Sequence, residues 1–261
     1  MRYIRLYFYF LQFSLSKAMQ FRFDFTLRIF MDLVFYIVNI LFFKIIFLHT
    51  PGLAGLSESQ MMVFVGSFLT LDAFIMTFLA NNIWWLPIYI NRGDLDYYLL
   101  RPVSTLFFMS LRDIAVNSFV NLVMALGILI YAFANCEEVV PLINYFTYGF
   151  FMLVGVVLYY CVRMLFIIPV FWSHSSRGLD EVFWGIEQTM QRPVDIFTGK
   201  FKTFLTTIIP LGVIVSYPVK MLWITNPMPL ALYMLMLVII FFVIFRILWS
   251  WGIKNYSSAS S

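Results

Sequence analysis

The chain is expected to be an all-α membrane protein with six transmembrane helices, an interfacial helix before the first and an outer re-entrant segment between the last two. Three observations carry this expectation. Of its 261 residues, 62% are hydrophobic and 11% charged, and the mean hydropathy is +0.90, a composition that excludes an ordinary soluble domain. Apolar runs long enough to cross a bilayer, about 20 residues, fall at 29–48, 61–81, 114–134, 142–161, 204–223 and 230–249. Backbone groups in lipid must be paired within their own segment, so these runs are helices, and the alternating pattern of a membrane barrel is absent. Finally, 15 of the 17 Lys and Arg residues fall in connections on one side of this scheme. Only Lys44 and Lys220 lie on the other side, with Glu58, Glu137 and Glu138. The positive-inside rule therefore expects a multi-pass membrane protein with both termini in the cytoplasm.

Residues 1–28 form the interfacial helix in this scheme. The run 6–13 after Arg2 and Arg5 is short for a signal peptide, and Lys17, Arg22 and Asp24 follow it with no clear cleavage site. Arg5, Gln12, Ser16 and Gln20 lie on one side of such a helix, with Phe8, Leu11, Leu15 and Met19 on another. The membrane domain is 29–249 and the cytoplasmic tail 250–261. Trp84, Trp85, Trp172, Trp184, Trp249 and Trp251 fall near the expected inner ends, as an interfacial aromatic belt requires.

Between the second and third spans, residues 90–104 read INRGDLDYYLLRPVS. Gly93 breaks the arriving helix, Asp94 can cap a new one, and Asp94 and Asp96 place negative charge at its positive end. Arg101 complements the other end and Pro102 stops it, which confines the helix to 95–100. Leu95, Tyr98 and Leu99 then share one face, suited to the membrane surface. Tyr97, Leu100 and Arg101 share another, suited to a groove in a partner. A capped loop without a partner has the same pattern, and both readings stand at this point.

Residues 173–203 are expected to be a second inner loop. Within it Leu179, Phe183, Ile186 and Met190 recur at helical spacing up to the stop at Arg192–Pro193. The fifth run is broken by Pro210 and Pro218 and followed by Asn226-Pro227-Met228-Pro229, which expects a kinked helix or an outer hairpin carrying Lys220. Asp72 lies near the middle of the second run. A carboxylate there is costly unless paired or facing water, so it is either an interhelical contact or part of a translocation path. Asp32, Lys44 and Arg163 are nearer span ends, from which they can snorkel.

Catalytic and metal chemistry are not expected. His49 and His174 fall on opposite sides of the membrane, as do Cys136 and Cys161, which removes a joint metal site, an acid–base pair and a disulfide. The nucleotide-binding pattern GxxxxGK[ST] is missing, since Gly199-Lys200 is followed by Phe201. If ATP is used, another chain binds it. The net charge of +4 reflects topology and is no argument for nucleic acid, because the basic residues are spread over separate connections.

Residues 92–104 (RGDLDYYLLRPVS) resemble the first cytoplasmic loop of ABC type-2 permeases. Three further matches follow in order: Arg192-Pro193-Val194-Asp195-Ile196-Phe197, then Ile209-Pro210 with Tyr217-Pro218, and finally WGIKNYSSAS at 251–260. The resemblance implies a six-span half-transporter that pairs with a second copy or a related permease. It also implies an ABC ATP-binding subunit as partner, with ATP and magnesium bound there and no cofactor in this chain. By motif position, Arg92, Gly93, Asp94, Leu95, Asp96, Tyr97, Leu100, Arg101 and Pro102 would carry the coupling to the ATPase, with the cytoplasmic coupling helix inside the coupling loop 91–104 and export the usual direction. A secondary transporter and a non-transporting assembly protein are the competing readings. The first normally shows internal repeats and paired polar sites at mid-membrane, neither of which occurs beyond Asp72.

Overall fold

The computed structural model describes residues 2–18, 22–175 and 177–256. Met19, Gln20 and residues 257–260 of the tail motif lie outside the described residues. Among those described, the chain is helical throughout, without a strand beyond the isolated bridge Leu53–Leu56.

Helix α1 (Arg2–Ala18) leads into α2 (Arg22–Phe47), which runs from the proximal to the distal end of the bundle. The chain returns through α3 (Glu58–Ile75) and α4 (Asn81–Arg92), continuous across a π-helical turn at Met76–Ala80. At the distal start, Ser57 and Gln60 form a reciprocal capping box. At the proximal turn lie α5 (Leu95–Leu99) and α6 (Thr105–Leu111). From there α7 (Val116–Ala134) climbs and α8 (Leu142–Ile167) descends to the short α9 (Val170–Ser173). The break between α6 and α7 has no helical partners of its own, yet three successive backbone donors in it are satisfied. Asp113 N–H donates to Asn82 Oδ1 at 2.8 Å, Ile114 N–H to Ser14 Oγ at 3.1 Å and Ala115 N–H to Thr77 O at 2.9 Å. This pairing is what allows irregular backbone at such a depth.

The helices approach closely where side chains are small. A Cβ on Gly66 would meet Leu129 Cα at 2.9 Å, so only glycine permits the α3–α7 crossing seen.

The return after α8 differs from the expectation of a second inner loop. Helix α10 (Arg177–Glu187) and the 3-10 turn Gln188–Gln191 run antiparallel to α8. Arg163 Nη2 meets Asp180 Oδ1 at 2.8 Å, and one helical turn higher Tyr159 O–H donates to Glu187 at 2.5 Å. Arg192 then lies over the Phe42 ring, near the distal end of α2. These fifteen residues rise about 25 Å, most of a hydrocarbon core. They return the chain from the proximal to the distal end, which is the place of a fifth crossing. Hydropathy overlooks them because they carry Arg177, Asp180, Glu181 and Glu187. Arg163 does not snorkel as expected; it is buried, with its guanidinium on Asp180 and over the Phe183 ring at 4.5 Å.

The apolar run 204–223, expected as a kinked fifth span or as an outer hairpin carrying Lys220, folds as a hairpin at the distal end. Its arms are α11 (Gly199–Thr203) with the π turn Phe204–Ile208, and α12 (Val213–Met221), bent by 91° at the break. Both arms end on one carboxylate: Asp195 pairs with Lys202 at 2.8 Å and with Lys220. The second arm, α12, is apolar because it is buried in protein, whereas Phe201 and Ile208 of the first arm are exposed. Ile214 packs on Gly155 halfway along α8, and Asn144 at the start of α8 donates to Leu222 O at 2.9 Å. Finally α13 (Met228–Asn255) descends along α8, with Tyr233 O–H on Thr206 O at 3.0 Å near its start. Near its end, Trp249 is buried against Phe171 and outside any interfacial belt.

Candidate coupling site and translocation cavity

Gly93 ends α4 in the left-handed region (φ +83°), a conformation that glycine takes without steric cost. The chain then turns straight into α5, where Asp94 makes no capping hydrogen bond with its side chain. Asp96 N–H instead donates to Gly93 O at 3.2 Å. The face with Leu95, Tyr98 and Leu99 meets protein and not membrane. Leu95 is fully buried, and Tyr98 packs between Tyr89 and Phe108 while its hydroxyl accepts from Arg112. The opposite face is left open, with Tyr97 61% and Leu100 87% exposed. Arg101 is drawn back over the Tyr97 ring at 4.1 Å and the Phe108 ring at 5.0 Å. Arg92 and Pro102 are exposed on either flank.

Three other elements hold this turn. Tyr3 of α1 packs edge-on to Phe107 at 4.8 Å, and its hydroxyl accepts from Ser104 N–H at 3.3 Å. Phe10 meets Phe108 at 5.0 Å. Residues 3, 10 and 14 thus form the attachment stripe of α1, which cuts across both faces read from its sequence. At the C-terminal end Tyr256 packs against Phe171 and lies beside α5. Burial and the Asp96 and Asp94 carboxylates raise its hydroxyl above the ordinary tyrosine value.

Above this turn a cavity of about 670 Å³ opens between α1, α2, α3 and the start of α7. Asp72 is on its wall, within electrostatic reach of Asp32 and Glu187. Asp32 lines it as well, contrary to the snorkelling expectation, and accepts from Asn121 Nδ2. The π turn Met76–Ala80 passes beside it, a deformation that inserts one extra residue and is frequent at functional sites. Asn121 and Asp32 were missed as site residues because their partnership spans two helices 89 positions apart. The His and Cys residues do not assemble with acids: among the described residues no group of three metal-ligating side chains forms, and Cys136 and Cys161 are both free.

The fold and this arrangement define a multi-pass membrane protein with an exposed short-helix turn at one end. The pattern shared by the ABC-2 family transporter proteins matches residues 33–260, and the chain belongs to that family, as the permease subunit of an ABC transporter. Comparison with curated proteins and with solved structures found no match.

Proposed function

We propose that this permease works as a dimer and takes its driving force from a separate ATP-binding subunit docked at α5, exporting its substrate from the cytoplasmic side. The observation that supports this most is the exposed Leu100, at the end of a five-residue helix that also exposes Tyr97 and whose other face is locked into the bundle. An apolar side chain so presented fits a groove in a partner, and the grip of α1, α6 and Tyr256 would pass its displacement to the helices around the cavity. Asp72 and Asp32, in a polar cavity on the proximal half, are proposed to line the substrate path. ATP and magnesium would be held by the partner alone.

The proximal end is assigned to the cytoplasm. With Arg192, Lys200 and Lys202 on the distal side, twelve of the 17 Lys and Arg residues remain proximal and five are distal, an excess in the same sense as before. In a background with Cys136 and Cys161 replaced, Ser57→Cys and Lys200→Cys should both label from outside the cell and Ser175→Cys only from inside. Labelling of Lys200→Cys from inside would return 173–203 to the cytoplasm. The transport reading is tested by Asp72→Asn, which should assemble, co-purify with the ATPase and hydrolyse ATP while losing or altering transport. Failure to assemble would leave Asp72 an interhelical contact.

A further inference from the structure

A second cleft opens on the distal half of the bundle, and nothing in the coupling scheme uses it. About 860 Å³ in volume, it lies between α2, α3 and α7, where Gly127 leaves open space on α7. Its walls are apolar, with Ile37, Ile40, Val65 and Met124 among them, and Tyr36 lines its lower end. Its rim is charged, carrying Lys44, Glu58, Glu137 and Glu138. Gln60 donates to Glu138 at 2.5 Å, whereas Lys44, Glu58 and Glu137 form no ion pair with any described residue.

Three properties select the occupant. The volume lies within the range that holds one small ligand, about 300–1,000 Å³. From Leu33 to Lys44 the slot is about 16 Å long at the helical rise, the thickness of one leaflet's hydrocarbon. One cation and three carboxylates give the rim a net charge of −2. That combination repels an anionic headgroup and complements one that carries a phosphate and a protonated amine. We propose that this cleft binds one membrane phospholipid with a zwitterionic primary-amine headgroup. The phosphate sits on Lys44, the ammonium lies among Glu58, Glu137 and Glu138, and one acyl chain fills the slot down to Tyr36.

The test needs no transport assay and stands apart from the proposed function. The full-length chain is purified and exposed to equal amounts of phosphatidylethanolamine, phosphatidylglycerol and phosphatidylcholine, and the lipids it retains are counted by native mass spectrometry. One phosphatidylethanolamine per chain should be kept, about tenfold over the other two, since only a primary ammonium donates charge-assisted hydrogen bonds to the rim. The triple variant Glu58→Gln, Glu137→Gln, Glu138→Gln should abolish that preference, and Lys44→Glu should weaken retention of every phospholipid. Gly127→Trp, which fills the slot, should lose the lipid altogether. Should that variant fail to fold, judged by its elution and thermal melt, the exposed rim variants still decide the matter. Equal retention of phosphatidylglycerol, or an unchanged preference in the triple variant, would overturn the assignment. So would spontaneous disulfide formation between copies carrying Ile40→Cys in a cysteine-free background, because a second copy would then cover the cleft.

Discussion

The proximal turn and the distal hairpin are both made of short helices next to long ones, yet they present opposite surfaces. At the proximal turn Tyr98, Arg101 and Arg112 are engaged internally, and the aliphatic Leu100 is left in the open beside Tyr97. In the hairpin the aliphatic side chains Leu205, Leu211, Val213 and Ile214 are completely buried, with Ile208 open at the bend, and the charges at its ends close on one another through Asp195. A surface that withholds its polar groups and offers an apolar one is completed by another chain. A surface that neutralises its own charges is complete already. The fifth crossing between them follows the second rule within the membrane, where Arg163 and Asp180 neutralise each other.

The largest effect should come from breaking that buried pair. Arg163→Met leaves Asp180 without its countercharge and should cost about 3–5 kcal/mol, because the remaining charge is stranded out of water. The protein should then fail to accumulate as a folded species in detergent. Adding Asp180→Leu should restore folding, read as recovery of a sharp elution profile. If the single variant were as stable as the parent, α10 would not cross the bilayer against α8.

Next in size is Leu100→Asp. Being 87% exposed, Leu100 contributes little to the chain itself, within about 0.5 kcal/mol, so membrane insertion and permease pairing should persist. A charge placed where an apolar anchor is buried against the partner should still cost on the order of several kcal/mol of binding. ATPase co-purification and transport should both disappear, and retention of both would remove α5 as the docking element. A milder Arg101→Ala exposes the Tyr97 ring without adding charge. It should leave the complex intact while lowering substrate-stimulated ATP hydrolysis, which separates docking from coupling.

The smallest effect belongs to the distal hairpin. Asp195→Asn should destabilise it by about 1 kcal/mol, since all three partners are partly exposed to water. Burial pushes the Asp195 carboxyl up, but the hydrogen bonds and charges of Lys202 and Lys220 outweigh it, and the net shift is below the ordinary value. The resulting stabilisation is therefore complete above the unfolded-state value near pH 4 and is lost as pH falls through the lower folded value. Hydrogen exchange at 199–221 should quicken in acid in the parent protein, with no such acid step in the variant.

The composition and the apolar runs alone determined that the chain is an all-α membrane protein and where most of its long helices lie, because lipid leaves the backbone no other way to satisfy itself. The glycine and proline that bracket α5 were equally legible, since their backbone restrictions act locally. That the face with Leu95 and Tyr98 meets protein and not the membrane surface was not, because only the packing of Tyr98 between Tyr89 and Phe108 decides it. The fifth crossing was decided by tertiary structure too. A helix carrying Asp180 and Glu187 reads as a loop until Arg163 and Tyr159 stand beside it, and the apolar hairpin reads as a span until Lys202 and Lys220 meet on Asp195. Hydropathy records what a segment would do in lipid alone. Once neighbouring helices supply countercharges and cover, the cost of a charge depends on the partner and no longer on the segment that carries it.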